Sequence, residues 1–460
     1  MSTVINTRSP FYFKVSNANL HSVRLDLYIW TGTHSQRNAS YKRYSLTKEQ
    51  LLDELDRGTT TATTANKLVD STQNFNTTAQ VGSFIKNTTD TTTASVTAID
   101  SDTTLSISSD IMASGENYIL FAKPYVVFEL SELARDFMET EYNNYATDTL
   151  WIDADITIYD STGTIVQVNS QDTNTSTFLG IDGYGYFEDG TNPRSVQYTT
   201  PMVLQHNTTV YYNDGADIKI PIYAEAAGSP PDKITATLTS TAGADIYWDN
   251  ADDFWDTYNV TWGSGQTPVE IQDNGNTNQK IQYLIITDSE DLNDGDYVTI
   301  SSDNSSYSDV VITLKKVCEP KYTPLNIIFY NKFGALQNLW FFKKSTTNIN
   351  ITSQKFKNNI LDIENSGGTP SYALSKHQEK KFMANGKESI TVNSGFYNED
   401  HNEVVREMLL AEQVWVYDGT NTLPINLKSN TLQFKKSVND KLISYTLSFD
   451  YAYDKINNIL

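Results

Sequence analysis

The chain has 460 residues, with 34 Lys and Arg against 56 Asp and Glu, a formal net charge of −22. Such a surface repels phosphate and excludes free nucleic acid as a direct partner, while 28 Tyr, 19 Phe and 7 Trp are too many aromatics for a disordered acidic chain. One cysteine, Cys318, and five histidines exclude a disulfide framework or a multi-cysteine metal site and leave little for histidine chemistry.

The first twenty residues lack the basic and continuous apolar regions of a signal peptide. No window approaches 18 uninterrupted apolar residues, so membrane insertion is not expected. The triplets beginning at Asn38, Asn207 and Asn350 read as chance sequons in an Asn- and Thr-rich chain made in a cytoplasm.

Alternation predicts strands from the start. Residues 11–15 and 23–30 alternate, the second placing Val23, Leu25, Leu27 and Ile29 on one face and Arg24, Asp26, Tyr28 and Trp30 on the other. Residues 47–50 fit a capping box ahead of Leu51, Leu52 and Leu55, and predict a short helix. From Arg57 to Lys123 the text turns to Thr, Ser, Asp and Asn with isolated apolar beats at Val81, Phe84, Ile85, Val96, Ile99, Leu105 and Ile107. A low-complexity linker and a small β-barrel of four or five strands inserted in a hairpin compete here, and the alternation at 95–99 and 104–108 favours the barrel. Leu130, Leu133, Ala134, Phe137 and Met138 fall at helical spacing. Residues 150–159 form a strand with Leu150, Ile152, Ala154, Ile156 and Ile158 inward, and 160–163 turn it into 164–168.

Residues 204–316 read as an immunoglobulin-like sandwich, with strands at 217–222, 233–238, 260–262, 280–286, 297–300 and 310–314 and a turn at 293–296. Beyond it, 326–330 and 336–342 flank a hairpin signal at 331–334. A packing helix opens near Asn398 and places Val404, Val405, Met408, Leu409 and Ala411 on one face. The last strand sets Ile443, Tyr445, Leu447, Phe449 and Tyr451 against Ser444, Thr446, Ser448 and Asp450. The fold class is therefore mainly β: β-sandwich and β-barrel domains at 1–58 with 123–203, an insert at 59–122, a sandwich at 204–316 and an antiparallel domain at 317–460. Charge divides at the last boundary, since residues 317–460 carry 16 basic and 14 acidic groups and the preceding 316 carry 18 and 42. The balanced, aromatic C-terminal part suits either contacts between copies or a basic-leaning domain with no partner, and for the first Trp340, Phe341, Tyr445, Phe449 and Tyr451 are candidate assembly residues.

Catalytic constellations are missing. Asp153 and Asp155 share a strand face as paired carboxylates could for glycoside hydrolysis, but a solvated face is the simpler reading. No nucleophile elbow, P-loop or dinucleotide fingerprint occurs. Neither His377 nor His401 has metal-ligand spacing, and Cys318 has no His near it in sequence. Asp249, Asp252 and Asp253 offer the oxygen ligands that calcium takes, the one cofactor with any support, whereas the acidic run at 288–296 misses the EF-hand spacing by one position. Tyr184, Tyr186, Trp248 and Trp255 could stack on a host surface glycan or anchor an interface.

Several stretches carry a resemblance. Asn66-Lys-Leu-Val-Asp-Ser-Thr, Val81-Gly-Ser-Phe-Ile-Lys-Asn-Thr-Thr-Asp, Ala94-Ser-Val-Thr-Ala-Ile-Asp-Ser and Leu105-Ser-Ile-Ser look like a small β-module of tailed-bacteriophage virion proteins. Glu319-Pro-Lys-Tyr-Thr-Pro, Asn331-Lys-Phe-Gly-Ala-Leu-Gln-Asn-Leu-Trp-Phe-Phe-Lys, Gly386-Lys-Glu-Ser-Ile-Thr-Val-Asn-Ser-Gly-Phe and Asn439-Asp-Lys-Leu-Ile-Ser-Tyr-Thr-Leu are similar to structural proteins of marine and crAss-like phages. The resemblance implies a non-enzymatic virion component, assembled in the host cytoplasm, with copies of itself in a ring-like homo-oligomer and other virion proteins as partners. A tail, neck-ring or baseplate subunit is the expectation, and a receptor- or glycan-binding adhesin the alternative.

Overall fold

The computed structural model describes residues 3–32, 41–138, 141–142, 144–145, 149–169, 177–193, 203–223, 233–239, 269–272, 280–286, 292–302, 308–319, 321–362, 369–429 and 442–456. Two units emerge, one of Met1–Glu139, Asp148–Gln197 and Asn274–Lys280, the other of Thr140–Thr147, Tyr198–Asp273 and Ile281–Leu460. Both are mainly β.

The first unit runs β1 (Thr3–Asn6), β2 (Tyr12–Ser16), β3 (Ser22–Trp30), β4 (Lys42–Glu49), β5 (Glu54–Thr59), β6 (Ala62–Thr64), β7 (Lys67–Val69), α1 (Phe75–Thr78), β8 (Phe84–Asn87), β9 (Thr93–Ser101), β10 (Thr104–Ile107), β11 (Asn117–Phe121), β12 (Tyr125–Glu129), α2 (Ser131–Arg135), β13 (Leu150–Tyr159), β14 (Ile165–Asn169) and β15 (Thr177–Ile181). Its main sheet is ordered β1-β15-β13-β3-β4, with β14 also on β13, and β2 pairs with β12. The alternating residues of β3 and β13 face Val15, Val126 and Phe128 in one core, as their period of two requires. Residues 47–55 are not a helix. Eight residues of β4 pair with β3, Tyr44 and Leu46 pack on the core, and Leu51 and Leu55 are exposed. A full ladder outweighs the one turn a capping box could start.

Strands β5-β11-β8-β9-β10-β7-β6 form a seven-stranded sheet around Leu68, Phe75, Ile85, Leu105, Tyr118 and Leu120. Only Thr60 and Thr61 separate β5 from β6, the two ends of that order. Two residues span at most about 7 Å, so the sheet curls round into a barrel. Seven strands are present where four or five are expected, the surplus being pieces as short as three residues.

The second unit runs β16 (Thr209–Asn213), β17 (Ile218–Tyr223), β18 (Lys233–Thr239), β19 (Val269–Gln272), β20 (Ile281–Ile286), β21 (Tyr297–Ser302), β22 (Val310–Val317), β23 (Leu325–Tyr330), β24 (Leu336–Phe341), β25 (Thr346–Lys357), β26 (Glu379–Asn398), α3 (His401–Leu410), β27 (Val414–Tyr417), β28 (Thr422–Leu427) and β29 (Leu442–Tyr451). Sheets β16-β22-β21-β18-β19 and β17-β20 enclose Ile220, Ile222, Val298, Ile300, Ile312 and Leu314, a sandwich. The expected strand at 260–262 lies outside the described residues. In the turn before β21, Gly295 takes φ +93° and the Asn293 N–H bonds Asp296 Oδ2 at 2.8 Å.

The remaining sheet is ordered β24-β23-β27-β28-β29-β26-β25. Asn331 shapes the β23–β24 hairpin, its Oδ1 accepting from the N–H groups of Phe333 and Ala335. The Tyr211 ring of β16 meets the Tyr397 ring of β26 at 4.6 Å, tilted by 58°, so the charge change near Cys318 coincides with no gap in packing. Helix α3 starts at His401 because Asn398 is still paired to β29. Its cap residue is Asp400.

Candidate functional site

Most of the last sheet folds over a core, but its edge does not. Strand β26 is 20 residues long, and its first six residues are exposed, as are all but one of the twelve in β25. The two pair from Thr346↔Thr391 to Lys357↔Glu379, and among the described residues β25 has no neighbour on its other side. Twelve residues reach about 40 Å. Only the root is packed, so the outer part is a two-stranded arm with both faces bare.

Two irregularities aim the arm. Near the root Asn393 opposes Thr446 and Phe396 opposes Ser444, leaving Ser394 and Gly395 against Tyr445 alone. Gly395 has φ +76°, and Ser394 Oγ accepts the Tyr445 N–H at 2.9 Å. Such a bulge bends the strand. Lys343 secures the root through Glu319 (2.6 Å), whose carboxyl it holds below the ordinary glutamate range, and its own N–H bonds the Asn393 carbonyl at 3.0 Å. The C-terminal residues follow the arm as far as Gly386, where the Lys455 N–H bonds the Gly386 carbonyl at 2.7 Å. Farther out, Gln354 opposes Met383 but Lys355 opposes Lys381, so Phe382 is an extra residue.

The outer arm presents Ile349, Ile351, Phe356, Phe382 and Met383, with Ile351 64% and Phe382 61% exposed. Phe356 and Phe382 meet edge to face at 6.2 Å, their outer faces in solvent. An isolated two-stranded ribbon is marginal in water, and burying each exposed ring elsewhere is worth about 1.5–3 kcal/mol. The charge is equally one-sided. Residues 346–387 hold six lysines and three acidic groups, against a net −24 in the first 316 residues. Lys355 and Lys381 directly oppose each other, a repulsion that only Glu379, 2.6 Å from Lys355, offsets among the described residues. An acidic surface brought against the arm would relieve it.

Residues singled out by sequence fall elsewhere. Trp340, Phe341, Tyr445 and Phe449 are at most 9% exposed and belong to the core around α3, with Tyr451 packed against its rim. Side chains so enclosed give packing instead of a surface for a neighbouring copy, and this corrects their place. Tyr184 is buried, with the Arg8 guanidinium 4.7 Å over its ring and Tyr186 5.8 Å away, so little of its face is left for a sugar. Asp249, Asp252, Asp253, Trp248 and Trp255 lie outside the described residues. Asp153 is 1% exposed, so the solvated face expected for it and Asp155 is corrected to one that Trp30, Trp151 and Lys280 help cover. Among the described residues no cluster of three His, Cys, Asp or Glu could hold a metal, and no helix is long and apolar enough to cross a membrane. Cys318 is exposed.

Buried titratable groups sit beside the core. Burial raises the Glu407 carboxyl, only partly countered by His206 Nδ1 at 2.5 Å from Oε1. Full burial likewise holds the Tyr397 hydroxyl, which donates to the Trp340 carbonyl, far above the usual phenol range.

The arm had a signal in the sequence: Ile349 and Ile351 alternate with Asn348, Asn350 and Thr352, and lysines crowd 376–387. Polar residues in both alternating sets hide a strand that has no buried face.

No family model matches the chain, and no curated protein matches it. Seven chains of solved structures do; one is the Phage phi92 endosialidase, at 12% identity and a TM-score of 0.14, with 72% of this chain covered. The chain spans about half of that protein's length, 53%.

Proposed function

We propose that the chain is a non-enzymatic structural subunit of a tailed-phage virion, a tail, neck-ring or baseplate component that assembles with copies of itself through its C-terminal domain. The arm carries this reading: a ribbon with exposed rings on an antiparallel edge and a charge opposite to that of the rest of the chain. Exposed strand edges pair readily and are ordinarily shortened or covered, so one this long is an element made for contact. A basic arm meeting the acidic surface of the next copy is a heterologous contact, which closes into a ring when the rotation permits. The residues at 319–324, 331–343, 386–396 and 439–447 that resemble phage structural proteins either form this sheet and its arm or immediately flank them. Place in the virion follows from the same reading.

Immunogold labelling of particles that carry the protein tests it. Gold at one axial position, neck, tail or baseplate, is expected. Purified particles without label would contradict the reading.

A receptor-binding role is the second reading, favoured by an aromatic cleft in the second unit.

A further inference from the structure

The cleft has a volume of about 680 Å3, within the range of about 300–1,000 Å3 of small-molecule sites. Strand register builds its floor. Trp340, Asn326 and Tyr417 lie side by side across β24, β23 and β27, and Thr422 of β28 continues the row. A buried amide thus sits between two aromatic side chains. Asn326 is 6% exposed, and its Oδ1 is enclosed with no hydrogen-bond partner among the described residues. An amide oxygen left so carries the cost of its lost solvation, which a hydroxyl donor in the cleft would recover.

The wall is strained. Asn144 and Tyr145 both adopt left-handed backbone, φ +44° and +67°. A tyrosine there is strained and persists only where its surroundings enforce it. Edge-to-face contacts with Tyr142 (6.1 Å) and Tyr283 (5.2 Å) and a 2.5 Å hydrogen bond to Asn338 Oδ1 do so. Lys219 Nζ stands 3.9 Å from the centre of the Tyr145 ring. At the rim, Asp418 accepts N–H groups from Thr420 and Asn421, which hold it below the ordinary carboxylate range and keep it an ionised acceptor.

We infer that this cleft binds a short neutral oligosaccharide. The exposed Tyr417 ring, beside the Asn326 amide and the Asp418 carboxylate, matches a pyranose, which has an apolar C–H face and a rim of hydroxyls. Aromatic faces carry the negative side of their quadrupole and favour such C–H groups. A nucleotide or an acidic sugar suits the cleft poorly, because Lys219, its one cation among the described residues, is engaged with Tyr145 while Asp217 and Asp418 line the same space. This inference stands apart from the assembly reading, since the cleft shares no residue with the arm.

The test titrates the full chain with maltotriose, cellotriose and mannotriose, read by calorimetry and saturation-transfer NMR. At least one trisaccharide should bind with a Kd of about 1 mM or tighter. Tyr417→Ala and Asn326→Leu should each weaken that binding roughly tenfold or more. Tyr417 is partly exposed, so its variant keeps the fold and decides the matter if the other does not fold. No binding up to about 10 mM, binding that survives a folded variant unchanged, or tighter binding of ADP than of any neutral trisaccharide would each overturn the inference.

Discussion

The two halves of β26 are one continuous strand under opposite conditions. Residues 389–398 pair with β29 and bury Ile390, Val392, Ser394 and Tyr397, whereas 379–388 pair only with β25 and leave Phe382 and Met383 in solvent. The inner half has backbone partners on both sides along part of its length, whereas the outer half has β25 on one side and, among the described residues, only the Lys455 N–H at Gly386 on the other. Apolar area removed from water differs as well, and it holds the inner half in place and gives the outer half its capacity to bind.

The contrast is broken most forcefully by cutting the same residue type from each side. Phe449→Ala, beneath the inner half, should destabilise the protein by about 3–5 kcal/mol, and Phe382→Ala by less than about 0.5 kcal/mol, as urea denaturation would show. Comparable losses would mean that the arm belongs to the folding core. Next, Phe356→Ser combined with Phe382→Ser should weaken self-association by roughly a factor of ten or more, measured by analytical ultracentrifugation, at an unchanged unfolding midpoint.

A smaller effect concerns the core side. The Glu407 carboxyl is raised in the folded state, so its stability contribution is complete below the ordinary glutamate value and is lost as pH climbs toward the folded one. The melting temperature of Glu407→Gln relative to the native protein should therefore rise between pH 4 and 7. A difference independent of pH would show that Glu407 is not the group responsible. Smallest is the charge on the arm: Lys355→Glu with Lys381→Glu should weaken association in dilute buffer and matter little well above about 0.15 M salt.

Strand β29, the partner of the inner half, was legible in the sequence, because Ile443, Tyr445, Leu447 and Phe449 alternate against a buried face, and so was the β23–β24 hairpin, through Asn331 and Gly334. The arm was not, since period-two reasoning depends on one side being buried. Charge balance and aromatic content put Trp340 and Phe449 on a contact surface, although a ring in an alternating strand points first to the core. Residues 47–55 misled because a local capping pattern says nothing of the ladder that β3 offers. The cleft depends on register, which sets Asn326 between Trp340 and Tyr417 although 14 and 91 positions separate them from it, and no local pattern encodes that.

The central claim is that the arm joins copies of the chain. Sedimentation velocity on the full chain, beside a variant in which an Asn-Gly turn replaces residues 352–385, tests it directly, because Ile351 and Gly386 already face each other across the ribbon and can be closed by two residues. The full chain should sediment as an oligomer and the variant as a folded monomer. Identical sedimentation of the two would contradict the account.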